Sequence, residues 1–365
     1  MKSNRLGLAG KSVLSLTMAA ALSLLTACGA SSSPPSSSSS APETTAAPQS
    51  SSSESSSGGA LKKLVIAEPV HLTGYLPLYV AIHEGYFAEQ GLEVEVIQAT
   101  GGTHVTAVVS GDAWGVIGGV DSNALGNKNS SDPITSIVNC VNRANVYLFA
   151  AKGMTPASSS DEDMKAFLTG KTIVAGRYGG SPNLLTRSLL IRLGLDPDKD
   201  VTLEENADAT TVVTMLQQGQ GQVGNGAEPQ VAQGIANGIW EEPFYKFHDL
   251  GDFSYSVLSV KKSTIDSDPE TCQKFVNAML KALDTVQKDK AMAEETLRKE
   301  FPTLDDASIK AVMDTSYADN LWSTDGIISE KAVVNDMEML IATGIYEGEY
   351  SYDTLVDMQF VESAE

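Results

Sequence analysis

Four short glycine-bearing loops recur along the chain, each between an apolar, β-rich run and an apolar run at helical spacing. They are Leu72-Thr73-Gly74-Tyr75, Gly101-Gly102-Thr103, Gly118-Gly119-Val120-Asp121-Ser122 and Tyr178-Gly179-Gly180-Ser181. Strand, tight loop and helix repeated in this way specify an α/β sheet of largely parallel strands. In such sheets the loops gather at the carboxyl edge, where helix N–H groups and bare glycine backbone approach a small ligand. Any one of these loops is equally explained as a tight turn; four together favour a cleft.

The repeat falls into two blocks. In the first, residues 62–67, 92–96, 114–117, 134–138 and 146–150 read as strands, with helices expected after Pro77 and over 105–110. A polar patch over 155–163 resets the pattern. Strands at 171–175, 201–203 and 222–227 then alternate with helices at 182–193 and 210–218. After a strand at 254–260 the chain is almost entirely helical. One of those helices is capped by Asp268, opened by Pro269 and given an apolar face by Phe275, Met279, Ala282 and Leu283. These helices need a sheet to cover, and the first block is their natural host. The expected organisation is therefore lobe one over 61–150 and 251–365, lobe two over 151–250, and two crossings, near Ala150 and Leu250.

Ahead of the lobes, Lys2, Arg5 and Lys11 precede an apolar run over 13–25 that is too short for a permanent span but suited to a signal core. Residues 1–27 read as a signal peptide, closing on Leu25-Thr26-Ala27-Cys28, a small-residue site that resembles a bacterial lipobox with Cys28 as the lipidated residue. Residues 30–59 are nearly all Ser, Pro, Thr, Ala and Gly, and without a branched aliphatic or aromatic side chain they cannot offset ordering entropy by burial. A disordered tether over 28–60 follows, with a root-mean-square span of roughly 30 Å. The expected location is outside the cell, held to the membrane by lipid. A formal net charge of −21 disfavours nucleic acid and anionic lipid as partners. Besides Cys28 only Cys140 and Cys272 occur, so free buried thiols are favoured over a disulfide framework.

Several motifs fail on context. Gly219-Gln220-Gly221-Gln222-Val223-Gly224 matches the dinucleotide pattern but leads into a strand instead of following one. Gly170-Lys171-Thr172 lacks the first glycine of a phosphate loop. Asp196-Pro197-Asp198-Lys199-Asp200 starts like a calcium loop, but Val201 and Ala207 replace its turn glycine and final carboxylate. His71, His83, His104 and His248 include no close ligand pair, so neither a metal nor any other cofactor is expected.

A family resemblance covers nearly all of the chain beyond the tether. Pro77-Leu78-Tyr79-Val80-Ala81, Glu84-Gly85-Tyr86-Phe87, Gly91-Leu92-Glu93-Val94-Glu95 and the stretch from Gly101-Gly102 to Gly111-Asp112-Ala113 look like the substrate-binding proteins of ABC importers for nitrate, sulfonates, taurine and thiamine-pyrimidine precursors. Gly170-Lys171-Thr172-Ile173, Leu193-Gly194-Leu195-Asp196, Ala227-Glu228-Pro229 and Trp322-Ser323-Thr324 continue it. The resemblance implies a two-lobed periplasmic-binding-protein type II fold that closes on one small molecule and docks, as a monomer, onto a membrane permease. It implies ligand contacts from Gly74, Tyr75, Gly101, Gly102, Thr103, Asp121 and Ser122 in lobe one, and from Tyr178, Gly179, Gly180, Ser181 and Glu228 in lobe two. Asn142 and Arg143 are possible additions.

The ligand stays open between two chemistries. An oxyanion would use helix N-termini and Arg143. A planar heterocycle would stack on Tyr75, Tyr178 or Trp114 and donate to Asp121 or Glu228, and these carboxylates tilt the reading slightly toward it. Against that, Glu228 has an alternative as a partner of Arg177, and Trp114 as core. A sensor or scaffold lipoprotein is a second reading. An enzyme of thiamine-pyrimidine synthesis is a third, weakened because Cys140 and Cys272 stand alone where those relatives carry a Cys-rich motif.

Overall fold

The computed structural model describes residues 60–205 and 211–364, so the leader, Cys28, the tether before residue 60 and Ala207 lie outside the described residues. Ten strands among the described residues divide between two sheets: β1 (Lys62–Glu68), β2 (Leu92–Gln98), β3 (Gly115–Gly118), β4 (Ile134–Arg143), β5 (Tyr147–Ala150), β6 (Thr172–Val174), β7 (Thr202–Glu204), β8 (Val223–Gly226), β9 (Tyr245–Lys246) and β10 (Asp252–Lys261). The sheet orders are β2-β1-β3-β10-β4 and β7-β6-β8-β5-β9. In the first, β1 runs parallel to both β2 and β3, whereas β10 is antiparallel to β3 and β4. In the second, β6 is parallel to β7 and β8, and β5 is antiparallel to β8 and β9.

Two expectations change here. The strand expected at 146–150 belongs to the second sheet, and the parallel part of the first is confined to β2-β1-β3. Both differences have one cause. The chain leaves the first sheet after Arg143, enters the second at Tyr147 and returns after Lys246 into β10. Each crossing therefore contributes an antiparallel strand beside a parallel trio, and apolar alternation carries no information on strand partner or direction.

The helices that matter for the site are α1 (Leu76–His83), α2 (Thr103–Ser110), α3 (Val120–Asn127), α4 (Ser181–Arg192), α5 (Gln230–Ala236), α6 (Pro269–Lys288), α7 (Asp306–Ala318) and α8 (Glu330–Ala342). Helix α6 forms as its sequence dictates. The Asp268 carboxylate accepts from the Thr271 N–H at 3.3 Å, Pro269 sits in the first turn, and Phe275, Met279, Ala282 and Leu283 are buried. It packs on α1 and β4 of the first sheet, the expected host. The later helices reach further: α7 packs on α5, and α8 on β10 and also on α4. Cys140 and Cys272 are buried free thiols. No helix among the described residues is long and apolar enough to cross a membrane.

Candidate functional site

A cleft of about 940 Å³, counting its open mouth, lies between the carboxyl ends of the parallel strands of both sheets. On one side it is lined by the segments after β1 (Pro69, Val70, Leu72, Tyr75), β2 (Thr100, Gly101, Gly102) and β3 (Gly118, Gly119), with Tyr255 and Ser256 from β10. On the other side stand Gly176, Arg177, Gly180, Ser181 and Pro182 after β6, and Asn225, Gly226, Ala227 and Gln230 around the end of β8. Helices α2, α3 and α4 all begin at this lining, so three helix N-termini, each a region of positive potential, meet at one cavity.

Among the described residues Arg177 is the one cation in the lining. It makes no ion pair within 4 Å there; its Nη1 donates to the Tyr178 carbonyl at 3.0 Å. Burial lowers the guanidinium from its usual range, the more distant Asp121 charge working against that. Gly102 comes up against it from the other lobe. Its φ of +87° suits glycine, and a Cβ there would lie 3.1 Å from the Arg177 Cζ and Nη1 atoms. His104, in the first turn of α2, is 3% exposed, and its Nδ1 has no hydrogen-bond partner among the described residues. Burial, with Arg177 adding repulsion, pushes its imidazole down to about 4, so the ring is neutral at neutral pH and free to pair with a ligand. Asn225 holds the opposite wall together, its Nδ2 donating to the carbonyls of Ala175 and Pro182 and to Thr186 Oγ1 at 2.8–2.9 Å.

Of the residues selected from sequence, Tyr75, Gly101, Gly102, Ser122, Gly180 and Ser181 come together in this lining. Gly74 stands behind it, its carbonyl accepting from Trp322 Nε1 at 2.9 Å. Thr103 is exposed and donates to the Thr100 carbonyl. Asp121 is sealed beneath the loop: Oδ1 accepts from the Ser122 N–H at 2.7 Å, and a Cβ on Gly119 would meet that oxygen at 2.1 Å. Burial raises its carboxyl, as it does more strongly that of Asp336, which accepts from the Asp121 N–H and the Ser254 hydroxyl. Tyr178 is 53% exposed and turned over the Arg187 guanidinium, 5.0 Å from the ring centre. Gly179 donates its N–H to Asn183.

Glu228 lies elsewhere, at the start of α5 in a separate cavity, and makes no ion pair with Arg177. Arg143 pairs with Asp252 at 2.5 Å, Asn142 accepts from Asn139, and Trp114 packs on Phe275. The acidic run at 196–200 connects α4 to β7, and no group of His, Cys, Asp and Glu that could hold a metal occurs among the described residues.

Sequence reasoning passed over His104, Tyr255, Asn225 and the cleft role of Arg177. The first and last had a signal, since each directly abuts a glycine loop already singled out. Tyr255 had none: the return crossing carries it in from more than a hundred residues away, on a strand whose alternation reads as core.

Comparison with known proteins places this architecture. YtlA of Bacillus subtilis (strain 168) is 26% identical over 309 residues, covering 83% of this chain and 90% of its own. The riboflavin-binding protein RibY of Chloroflexus aurantiacus is 27% identical over 221 residues, covering 57% of this chain and 58% of its own. The ligand-binding component of an ABC-type import system from Staphylococcus aureus, solved with zinc bound, superposes with a TM-score of 0.65 at 15% identity, over 83% of this chain and 99% of that one. The fold is thus the two-lobed periplasmic-binding-protein fold. The NMT1-like family profile matches residues 69–298, well over half of the chain, and the chain belongs to that family.

Proposed function

We propose that the protein is the extracytoplasmic solute-binding component of an ABC importer, tethered by lipid at Cys28, which closes on a small organic molecule bearing an anionic group and delivers it to a membrane permease. The observation that carries the ligand class is Arg177, a half-buried cation without an ion-pair partner among the described residues, which stands beside the N-terminus of α4 and faces those of α2 and α3 across a mostly apolar cleft. An anion there gains a charge-assisted partner and three favourable dipoles. Neutral His104 adds a hydrogen-bonding nitrogen, and the walls formed by Leu72, Pro182 and Ala227 accept an apolar body.

The domain organisation read from sequence serves this function directly. With β5 moved to the second sheet, residues up to 143 and from 252 onward supply one jaw and 147–246 the other, and the binding unit works as a monomer. Contacts from both jaws favour the closed state, and only such differential affinity shifts the hinge. No bond needs to break, so the protein captures without catalysis. The likeness to an ABC import component and to binding-protein relatives supports this reading.

Arg177→Gln is the direct test. Losing a charged hydrogen bond costs about 1.5–3 kcal/mol, so affinity for the captured anion should fall roughly 10- to 100-fold in titration calorimetry, with the melting temperature of the unliganded protein nearly unchanged. A second reading rests on the buried Tyr75 and Tyr255 in the lining and on the named ligand of RibY. It takes the guest as a flavin-like heterocycle held by stacking. Riboflavin binding that survives Arg177→Gln would favour that reading over the anion.

A further inference from the structure

A second cavity, separate from the cleft, opens between α5 of one lobe and α7 of the C-terminal helices, with about 760 Å³ of space counting its mouth. Its walls are apolar where Ile235 and Ala311 face it, its charged groups are Glu228, Glu242, Asp305 and Lys246, and Tyr147, Ser308 and Thr315 add hydroxyls. Glu228 is only 4% exposed. One of its oxygens, Oε2, accepts from the Ala232 N–H at 2.9 Å; the other has no hydrogen-bond partner among the described residues.

The nearby cation is already engaged. Lys246 Nζ lies 3.5 Å from Asp319 Oδ1 and 5.8 Å above the Tyr147 ring, while the Tyr147 hydroxyl donates to the other oxygen of the same aspartate at 2.7 Å. The balance around Glu228 is accordingly negative. Burial first, then the charges of Glu242 and Asp319, push its carboxyl up to about 7, against the Ala232 N–H and Lys246. A buried carboxyl with a vacant oxygen, in an apolar cavity with further carboxylates, offers what an alkylammonium ion lacks when it leaves water.

We infer that this cavity is a binding site for a small organic ammonium ion, whose N–H groups donate to Glu228 and whose alkyl body lies between Ile235 and Ala311. The site is independent of the ligand in the front cleft. It requires an ionised Glu228, and the groups that set that ionisation are Glu242, Lys246, Asp319 and Tyr147, which flank it from the neighbouring elements.

The test is binding of n-butylamine to the full chain, followed by saturation-transfer NMR and by melting temperature, with n-butanol as the uncharged isostere. Saturable butylamine binding is expected at pH 8 and roughly a hundredfold weaker at pH 5, where Glu228 is almost wholly protonated, and butanol should bind far more weakly than butylamine does at pH 8. Glu228→Gln should weaken butylamine at pH 8 by roughly tenfold or more, and Glu242→Gln by a few-fold. The second variant alters an exposed residue and carries the test if the first does not fold. Equal binding of butylamine and butanol, butylamine affinity unchanged in Glu242→Gln and in any folded Glu228→Gln, or no binding of butylamine at pH 8 would each overturn the inference.

Discussion

Gly234→Ala is expected to destabilise the fold by about 3 kcal/mol or more, a large effect for adding one methyl group. Gly234 lies within α5, and a Cβ on it would sit 1.8 Å from Cε2 and Cζ2 of Trp240 and 2.4 Å from Cη2. The indole has nowhere to retreat. It is 1% exposed, stacks on the Phe149 ring at 4.1 Å between centres, and donates through Nε1 to the Val231 carbonyl at 3.1 Å. Accommodating the methyl means expelling Trp240 from its seat, which approaches the roughly 3–5 kcal/mol cost of deleting a buried aromatic side chain. Urea denaturation of the two proteins checks this. A double change of Gly234→Ala with Trp240→Leu should cost clearly less than the sum of its parts, because the clash exists only while both groups are present. A Gly234→Ala midpoint equal to that of the parent would show that the helix can move away from the ring.

The second large effect depends on pH. Glu228 titrates at about 7 in the folded chain against an ordinary value of 4.5, so the folded chain binds this proton more tightly than the unfolded chain does. The resulting stability is fully present below pH 4.5 and is lost as pH rises through about 7. Glutamine mimics the protonated form. Glu228→Gln should therefore match the parent near pH 4.5 and exceed it by about 3 kcal/mol at pH 8, since each tenfold difference in proton affinity between the two states is worth about 1.36 kcal/mol. His104 acts with the opposite sign. Its folded value of about 4 lies below 6.5, so the stability it contributes is present above pH 6.5 and is lost as pH falls through about 4. Between these limits the two largely cancel in the parent, and removing Glu228 unmasks a rise in stability from pH 4.5 to 6.5. Melting curves of parent and variant at each pH decide it. A parallel pair of profiles would mean that Glu228 binds its proton no more tightly in the folded chain than in the unfolded one.

The sequence carried much of this architecture because local signals and global fold agree. The Asp268 cap, Pro269 and the four apolar positions after them specify α6 from end to end, and the strand-loop-helix repeat places most of the cleft loops. What was not legible lay in long-range pairing. Nothing local in 146–150 distinguishes a last strand of one sheet from the first strand of the next, and only the hydrogen bonds of β5 to β8 and β9 decide it. The same limit applies to the site. Glu228 and Asp121 are carboxylates beside loops at strand ends, yet one faces a different cavity and the other is buried beneath its own loop. Arg177 directly precedes the Tyr178–Ser181 loop, but its freedom from an ion pair is a property of the assembled lobes.

The capture of an anion between the two lobes is tested most directly by the melting temperature of the full chain against alkanesulfonates, nitrate, small organic carboxylates, riboflavin and thiamine-pyrimidine precursors, run in parallel on the parent and on Arg177→Gln. A ligand held only by the folded state adds about 2.7 kcal/mol of stability at a hundred times its dissociation constant. The account predicts that at least one anion produces such a saturable rise in the parent and that Arg177→Gln removes most of it. No rise with any compound, or the same rise in both proteins, would contradict it.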